Sequence, residues 1–458
     1  MSRGRPLGLW MATALVVGNM IGASVFLLPA ALAPYGLNSL PAWLITISGA
    51  LLIAVVYAAL GRAFPEACGP YDYTRIAFGE FAGFVVAWGY WIACWVGNAA
   101  IATGAVSYLA DFFPAIATQP TSALVTIAAI WVLTGVNVYG TRVAGSVQLV
   151  TTVLKLLPLL AIGALGVWLL ATRHPAIAQN LATAAPLRAD AITAAATLTL
   201  FALCGLECAT IPAGKVADAE RTVPRATLAG TALTAAIYVL SCSTALFVIP
   251  AEALAQSHAP FADVARVFFG DAAARGIALF AMVSGFGALN GWILIQGELP
   301  YHMARQGVFP RWFARESPRR TPALSLVLGS ALTSVLLALN AAKSLGDVFR
   351  FVVLVSTAAT LVMYLACALA ALKLLATGAL PAVANRRRLA AAAVAAALYA
   401  LWAIVGAGLS TDAASCGRGL ICWTPWSSNP AILCLALLAS AVPVFLLMRR
   451  RARAAATS

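Results

Sequence analysis

Charge is what this sequence has least of. Asp, Glu, Lys and Arg make up 10% of its 458 residues, where a soluble domain carries about a quarter. So few charged groups cannot cover a water-facing surface, and most of the 62% that is apolar must face something else. Histidine is nearly absent. His174, His258 and His302 are scattered through polar stretches, too far apart in the chain to read as a metal site. No P-loop sequence occurs, which argues against ATP-driven work, and no arrangement of residues suggests an enzyme. The cysteines form no disulfide framework. Cys94, Cys204, Cys208, Cys242, Cys367 and Cys434 lie inside apolar runs, where cysteine behaves as a small hydrophobe. Cys416 and Cys422 share one polar loop and suit either a pair or two free thiols.

What is present is a series of long apolar runs. A helical span needs about 20 mostly apolar residues. Segments that qualify run roughly 10–34, 39–61, 81–110, 121–139, 146–171, 191–214, 227–249, 273–297, 322–340, 348–373, 389–410 and 430–448. The run that begins at Leu7 is too long for a signal-peptide core and reads as the first span. The net charge of +14 does not indicate nucleic acid, because the basic residues cluster between apolar runs. With the N-terminus cytoplasmic, 21 of them fall on that side and 7 outside, with Lys155 inside a span. That bias supports an even number of spans with both termini cytoplasmic. The connections near 173–190, 250–272 and 298–321 leave room for short amphipathic pieces at most.

Two spans carry glycine where a continuous helix is disfavoured. The first reads Gly18-Asn19-Met20-Ile21-Gly22-Ala23-Ser24, and the sixth reads Phe201-Ala202-Leu203-Cys204-Gly205-Leu206-Glu207. Glycine costs a helix up to about 1 kcal/mol relative to alanine. Unwound backbone is tolerable at membrane depth only where it lines a cavity, and paired breaks in two halves of a chain point to a transporter site. Close helix packing explains such glycines as well, taken alone.

At these residues the sequence resembles the amino acid–polyamine–organocation superfamily. Gly18 to Gly22 followed by Val25-Phe26-Leu27-Leu28-Pro29 is similar to its first-helix signature. Phe201 to Glu207 with Arg221-Thr222-Val223-Pro224-Arg225-Ala226 is similar to its sixth helix and following loop. Tyr90-Trp91-Ile92-Ala93-Cys94-Trp95-Val96-Gly97-Asn98 and Gly291-Trp292 resemble bacterial arginine–agmatine antiporters. Antiporters of that subgroup carry tryptophan where this chain has Phe201 and serine where it has Ala23. Lys155 resembles instead a lysine of proton-coupled and exchanging amino acid transporters. The resemblance implies an all-α protein of 12 transmembrane helices, multi-pass in a bacterial inner membrane. Two inverted repeats of five helices would span about 7–171 and 190–373, followed by two helices in 389–448. It implies a secondary carrier of amino acids or polyamines, either exchanger or proton symporter and independent of sodium. A channel or transporter-like sensor is the alternative.

The candidate site follows from the same resemblance. Gly22, Ala23 and Ser24 would hold a substrate carboxylate, since free N–H groups and the positive end of a half-helix favour an anion. Glu207, a charge within an apolar span, would answer an amine or a proton. Tyr90, Asn98, Phe201 and Trp292 would bound the substrate, with Phe201 as a lid and aromatic faces attracting cations. Asn19, Asn137, Asn290 and Gln296 read as hydrogen bonds between helices and not as site residues. The Lys155 ammonium would replace the sodium of related carriers by donating to carbonyls between Gly18 and Gly22, either as a permanent cation or as the coupling proton site. The partners are a small-molecule substrate and membrane lipid, with no nucleic acid, no cofactor and no metal; a homodimer is compatible with this reading.

Overall fold

A backbone in lipid must satisfy its own hydrogen bonds, so apolar runs of this length become helices. The computed structural model describes residues 8–456 apart from 23, 65, 66, 68, 140–141, 176, 178–185, 210–215, 217, 320, 381–384, 411–421 and 424–428. Among the described residues the architecture is helical throughout. One exception is a two-residue antiparallel ladder that pairs Leu409 with Trp423. Cys416, half of the candidate cysteine pair, lies outside the described residues.

In chain order the helices are α1 (Leu9–Met20), α2 (Ser24–Leu32), α3 (Ser39–Ala63), α4 (Pro70–Phe78), α5 (Glu80–Leu109), α6 (Thr121–Tyr139), α7 (Arg142–Ala171) and α8 (Ala189–Leu203). They continue as α9 (Ala219–Val248), α10 (Ala251–Ala255), α11 (Pro260–Arg305), α12 (Ala323–Leu339), α13 (Leu345–Ala376), α14 (Arg386–Gly406), α15 (Pro430–Ala439) and α16 (Ala441–Ala456). Each expected apolar segment is occupied by helix. Nine helical stretches among the described residues are long and apolar enough to cross a bilayer, and α1, α8 and α12 are shorter apolar helices.

Two features fill in the sequence reading. The stretch 250–272 is a connection that holds short helical pieces, as expected. It holds α10 and the first turns of α11, which break off at Gly270, where φ is +77°. The connection between α3 and α5 contains a further helix, α4, with Pro70 at its start.

The centre of the bundle is α5. Its residues from Phe84 to Tyr108 are nearly all buried, and it packs against α11 and α13. Polar side chains join the helices around it, as small and hydroxyl-bearing residues do in lipid. Asn137 donates to Asn290 Oδ1 at 2.8 Å, joining α6 to α11. Thr333 of α12 donates to the Trp95 carbonyl at 2.8 Å. At one end of α5, Arg266 is paired with Asp111 and Asp271 at 3.1 Å and also with Asp263. This links α5 to the helical piece ahead of Gly270.

Candidate functional site

The first apolar run cannot remain one helix. α1 stops at Met20, the Gly22 N–H turns back to the Met20 carbonyl at 2.9 Å, and α2 starts afresh at Ser24. The sixth run breaks as well. Cys204 is extended, Gly205 adopts φ +106°, and a short 3₁₀ turn follows from Leu206 to Ala209. The two breaks touch. A Cβ on Gly205 would lie 3.3 Å from the Asn19 carbonyl carbon, so this position needs glycine both for its φ and for the close approach.

The loose ends are held from outside. The Tyr238 hydroxyl of α9 donates to the Met20 carbonyl, and the Tyr108 hydroxyl of α5 donates to the Phe26 carbonyl, both at 2.9 Å. The Lys155 ammonium of α7, wholly buried, donates to the Gly18 carbonyl at 2.5 Å. Each of these bonds satisfies an acceptor near an irregular backbone, which is costly to leave unpaired when buried.

Beside the joined breaks lies a small cavity, of about 50 Å³. Gly22, Tyr90, Phe201, Glu207 and Trp292 all line it, from four separated stretches of sequence. Glu207 is the one charged residue in its described lining. Its Oε2 accepts from the Tyr364 hydroxyl at 2.7 Å and from the Gly205 N–H at 3.2 Å, and the Tyr90 hydroxyl adjoins the same carboxylate. The carboxylate therefore caps the broken helix and faces the cavity at once. Phe201 and Trp292 are partly exposed to that space, and both pack against the apolar core.

Asn98 is not part of the lining. Its Nδ2 donates to Gln296 Oε1 at 2.8 Å, in the layer beyond the cavity wall. Lys155 lies behind the broken first helix instead of in the cavity. Ala23 is outside the described residues, and Ser24 is described only as the start of α2.

Several lining residues lie within the quoted motifs but are not read there as part of the site. Asn19, read as a hydrogen bond between helices, lines the cavity, and so do Cys94 and Cys204, read as small hydrophobes. Helical spacing could have found part of the set. Tyr90, Cys94, Gly97 and Ile101 follow one another at three- and four-residue steps on one face of α5. Ser356, Thr360 and Tyr364 do the same on α13, where the first two line the cavity and the third holds Glu207.

The amino acid permease family profile matches residues 7–424 of this sequence. The chain belongs to that family. It is 32% identical over 410 residues to a Bacillus subtilis (strain 168) protein provisionally named an arginine/ornithine antiporter, covering 82% of this chain and 86% of the relative. It is also 32% identical over 351 residues to the cadaverine/lysine antiporter of Escherichia coli (strain K12), covering 76% and 78%. With the putrescine transporter PotE of Haemophilus influenzae it shares 28% over 410 residues, covering 89% and 93%. The family and these relatives are transporters and not enzymes, in keeping with a multi-pass chain built from apolar helices.

Proposed function

We propose that this chain is a secondary carrier that exchanges dibasic amino acids with their amine relatives across a bacterial inner membrane. The observation that carries this reading is the cavity where two broken helices meet, with a single carboxylate as the charge in its described lining. A binding site for a species with more positive than negative groups needs that balance. The relatives named for arginine, ornithine, lysine, cadaverine and putrescine support it.

In this reading the Gly22 turn, whose own N–H bonds the Met20 carbonyl, presents the start of α2, and the backbone from Ala23 and Ser24 onward receives a substrate carboxylate. N–H groups of a helix's first turn have no partner within the helix, and the helix dipole favours an anion there. Glu207 receives an amine, Phe201 closes over the substrate, and Trp292 bounds its side chain. The transporter has 12 transmembrane helices, two inverted five-helix repeats and cytoplasmic termini. Lys155 occupies the place of a coupling sodium: its contact with Gly18 ties α7 to the broken α1, as a cation bridging the same elements would. Transport then needs no sodium.

Proteoliposomes test this directly. Uptake of labelled lysine should rise several-fold when lysine or cadaverine is inside, and it should not change when potassium replaces sodium. Uptake that ignores internal substrate, or that requires sodium, contradicts the reading.

A further inference from the structure

The helix α4 is too short to cross a bilayer, and it divides its side chains in an unusual way. Tyr71, Tyr73, Thr74 and Ala77 are buried, where α4 packs on α5 and α13. Outward it presents Ile76 and Phe78, 46% and 42% exposed, and Phe81 follows in the first turn of α5, 45% exposed. Apolar side chains gathered on an outer surface mark contact with something other than water.

Cations surround these side chains. The Lys373 ammonium, in the last turns of α13, lies 5.0 Å from the centre of the Phe78 ring. Phe81 meets Phe445 of α16 with ring centres 5.1 Å apart, and the Arg449 guanidinium stands over Phe445 at 5.5 Å. Arg450 follows it and is exposed. Arg386, at the start of α14, donates to the Leu375 carbonyl, two residues beyond Lys373. That bond brings Arg387 and Arg388 to the same end of the bundle. The acidic side is thin. Asp72 is paired with Arg75 at 3.0 Å, and Glu80 is the other carboxylate of α4 and the first turn of α5. Lys373 and these five arginines outnumber it.

We infer that this patch is a docking surface for an anionic phospholipid of the adjacent leaflet: Ile76, Phe78 and Phe81 lie against its acyl chains, and Lys373 and Arg449 donate to its phosphate. A leaflet offers both chemistries in the order the patch needs them, hydrocarbon below and phosphate above. Lysine and arginine suit the boundary, because their stems lie along apolar surface while their heads reach the polar layer. Clusters of this size beside membrane helices hold anionic headgroups. A soluble anion would leave the three apolar side chains in water. A second copy of the chain, docking here about a two-fold axis, would set the same cations against each other. The inference goes beyond the carrier function and holds whichever substrate is carried.

The experiment uses the full chain in detergent and measures lipid retention by native mass spectrometry. Phosphatidylglycerol is compared with phosphatidylcholine of the same acyl chains. The wild type should retain the anionic lipid in preference by at least about fivefold, the effect of a single cation close to an anionic surface. Lys373→Gln combined with Arg449→Gln should bring that ratio to within about twofold. Arg315→Gln combined with Arg319→Gln removes the same charge from the connection ahead of α12, where Arg319 stands over Tyr139 at 4.0 Å, and should leave the ratio as it was. If the first double variant does not fold, Arg449→Gln alone, at an exposed position, should lower the ratio in the same direction while Lys373→Arg keeps it. A folded Lys373→Gln, Arg449→Gln protein with the wild-type ratio overturns the inference. So does an equal loss in the Arg315→Gln, Arg319→Gln protein, which would be a response to net charge and not to a site. A wild-type dimer that Phe81→Ser dissociates also overturns it, because a second copy would then cover the patch.

Discussion

Glu207 shows how one side chain is bound to two duties. The Tyr364 hydroxyl and the Gly205 N–H both donate to its Oε2, so the carboxylate holds the sixth-run break in shape while lining the cavity. Removing the Tyr364 hydroxyl takes away a buried hydrogen bond, worth about 0.5–3 kcal/mol by its kind. Tyr364→Phe should therefore fold, with a lower thermal midpoint and weaker substrate binding together. A variant that loses stability alone would show that the hydroxyl serves the break and not the site. Phe201 and Trp292 are contacts of a different sort, apolar faces at the cavity edge. Either alanine variant should weaken binding by about 1–3 kcal/mol through lost burial and lost attraction to a cationic substrate, read by calorimetric titration. Unchanged affinity in a folded Phe201→Ala protein assigns that ring to packing. Glu207 and Phe201 were legible in the sequence because a motif surrounds them. Tyr364 was not, since one tyrosine in an apolar run looks the same whether it packs or bonds a carboxylate 157 positions away.

At the scale of elements, periodicity and hydropathy located the apolar helices, because in lipid the backbone leaves no alternative to helix. They could not locate the break inside α11 or the presence of α4, where the deciding factors are one positive φ at Gly270 and one proline at a helix start. The break after α8 was legible from Gly205, and there the constraint is severe. Its φ of +106° is one that L residues rarely adopt, and a Cβ at 3.3 Å from Asn19 would force the facing backbone to shift. Gly205→Ala should cost about 1–3 kcal/mol and remove exchange activity even where the protein inserts. Normal exchange by that variant would mean the break can re-form elsewhere. The Asn98 position gives the opposite lesson. A motif placed it at the substrate, whereas its hydrogen bonds place it a layer back, because Gln296, which no motif marked, takes up its amide nitrogen.

For the whole molecule, composition alone decided the solvent: with 10% charged residues the chain had to lie in lipid. Which helices would meet around a cavity was not readable from any single run, because that depends on which faces pair once several helices pack together. The resemblance supplied that grouping. The three bonds around the first break have a consequence of their own. The end of α1 is fastened to α7 and α9 through Lys155 and Tyr238, while α2 is fastened to α5 through Tyr108. The break is thus a mechanical joint between two parts that are each secured to different neighbours, and rotation of one against the other is concentrated in the residues between Met20 and Ser24. A covalent tether from α1 to α9 should leave turnover running, since those helices travel together. A tether from α1 to α5 should stall the cycle with substrate still able to bind from one side, and cysteine pairs joined by a reagent of fixed length distinguish the two outcomes.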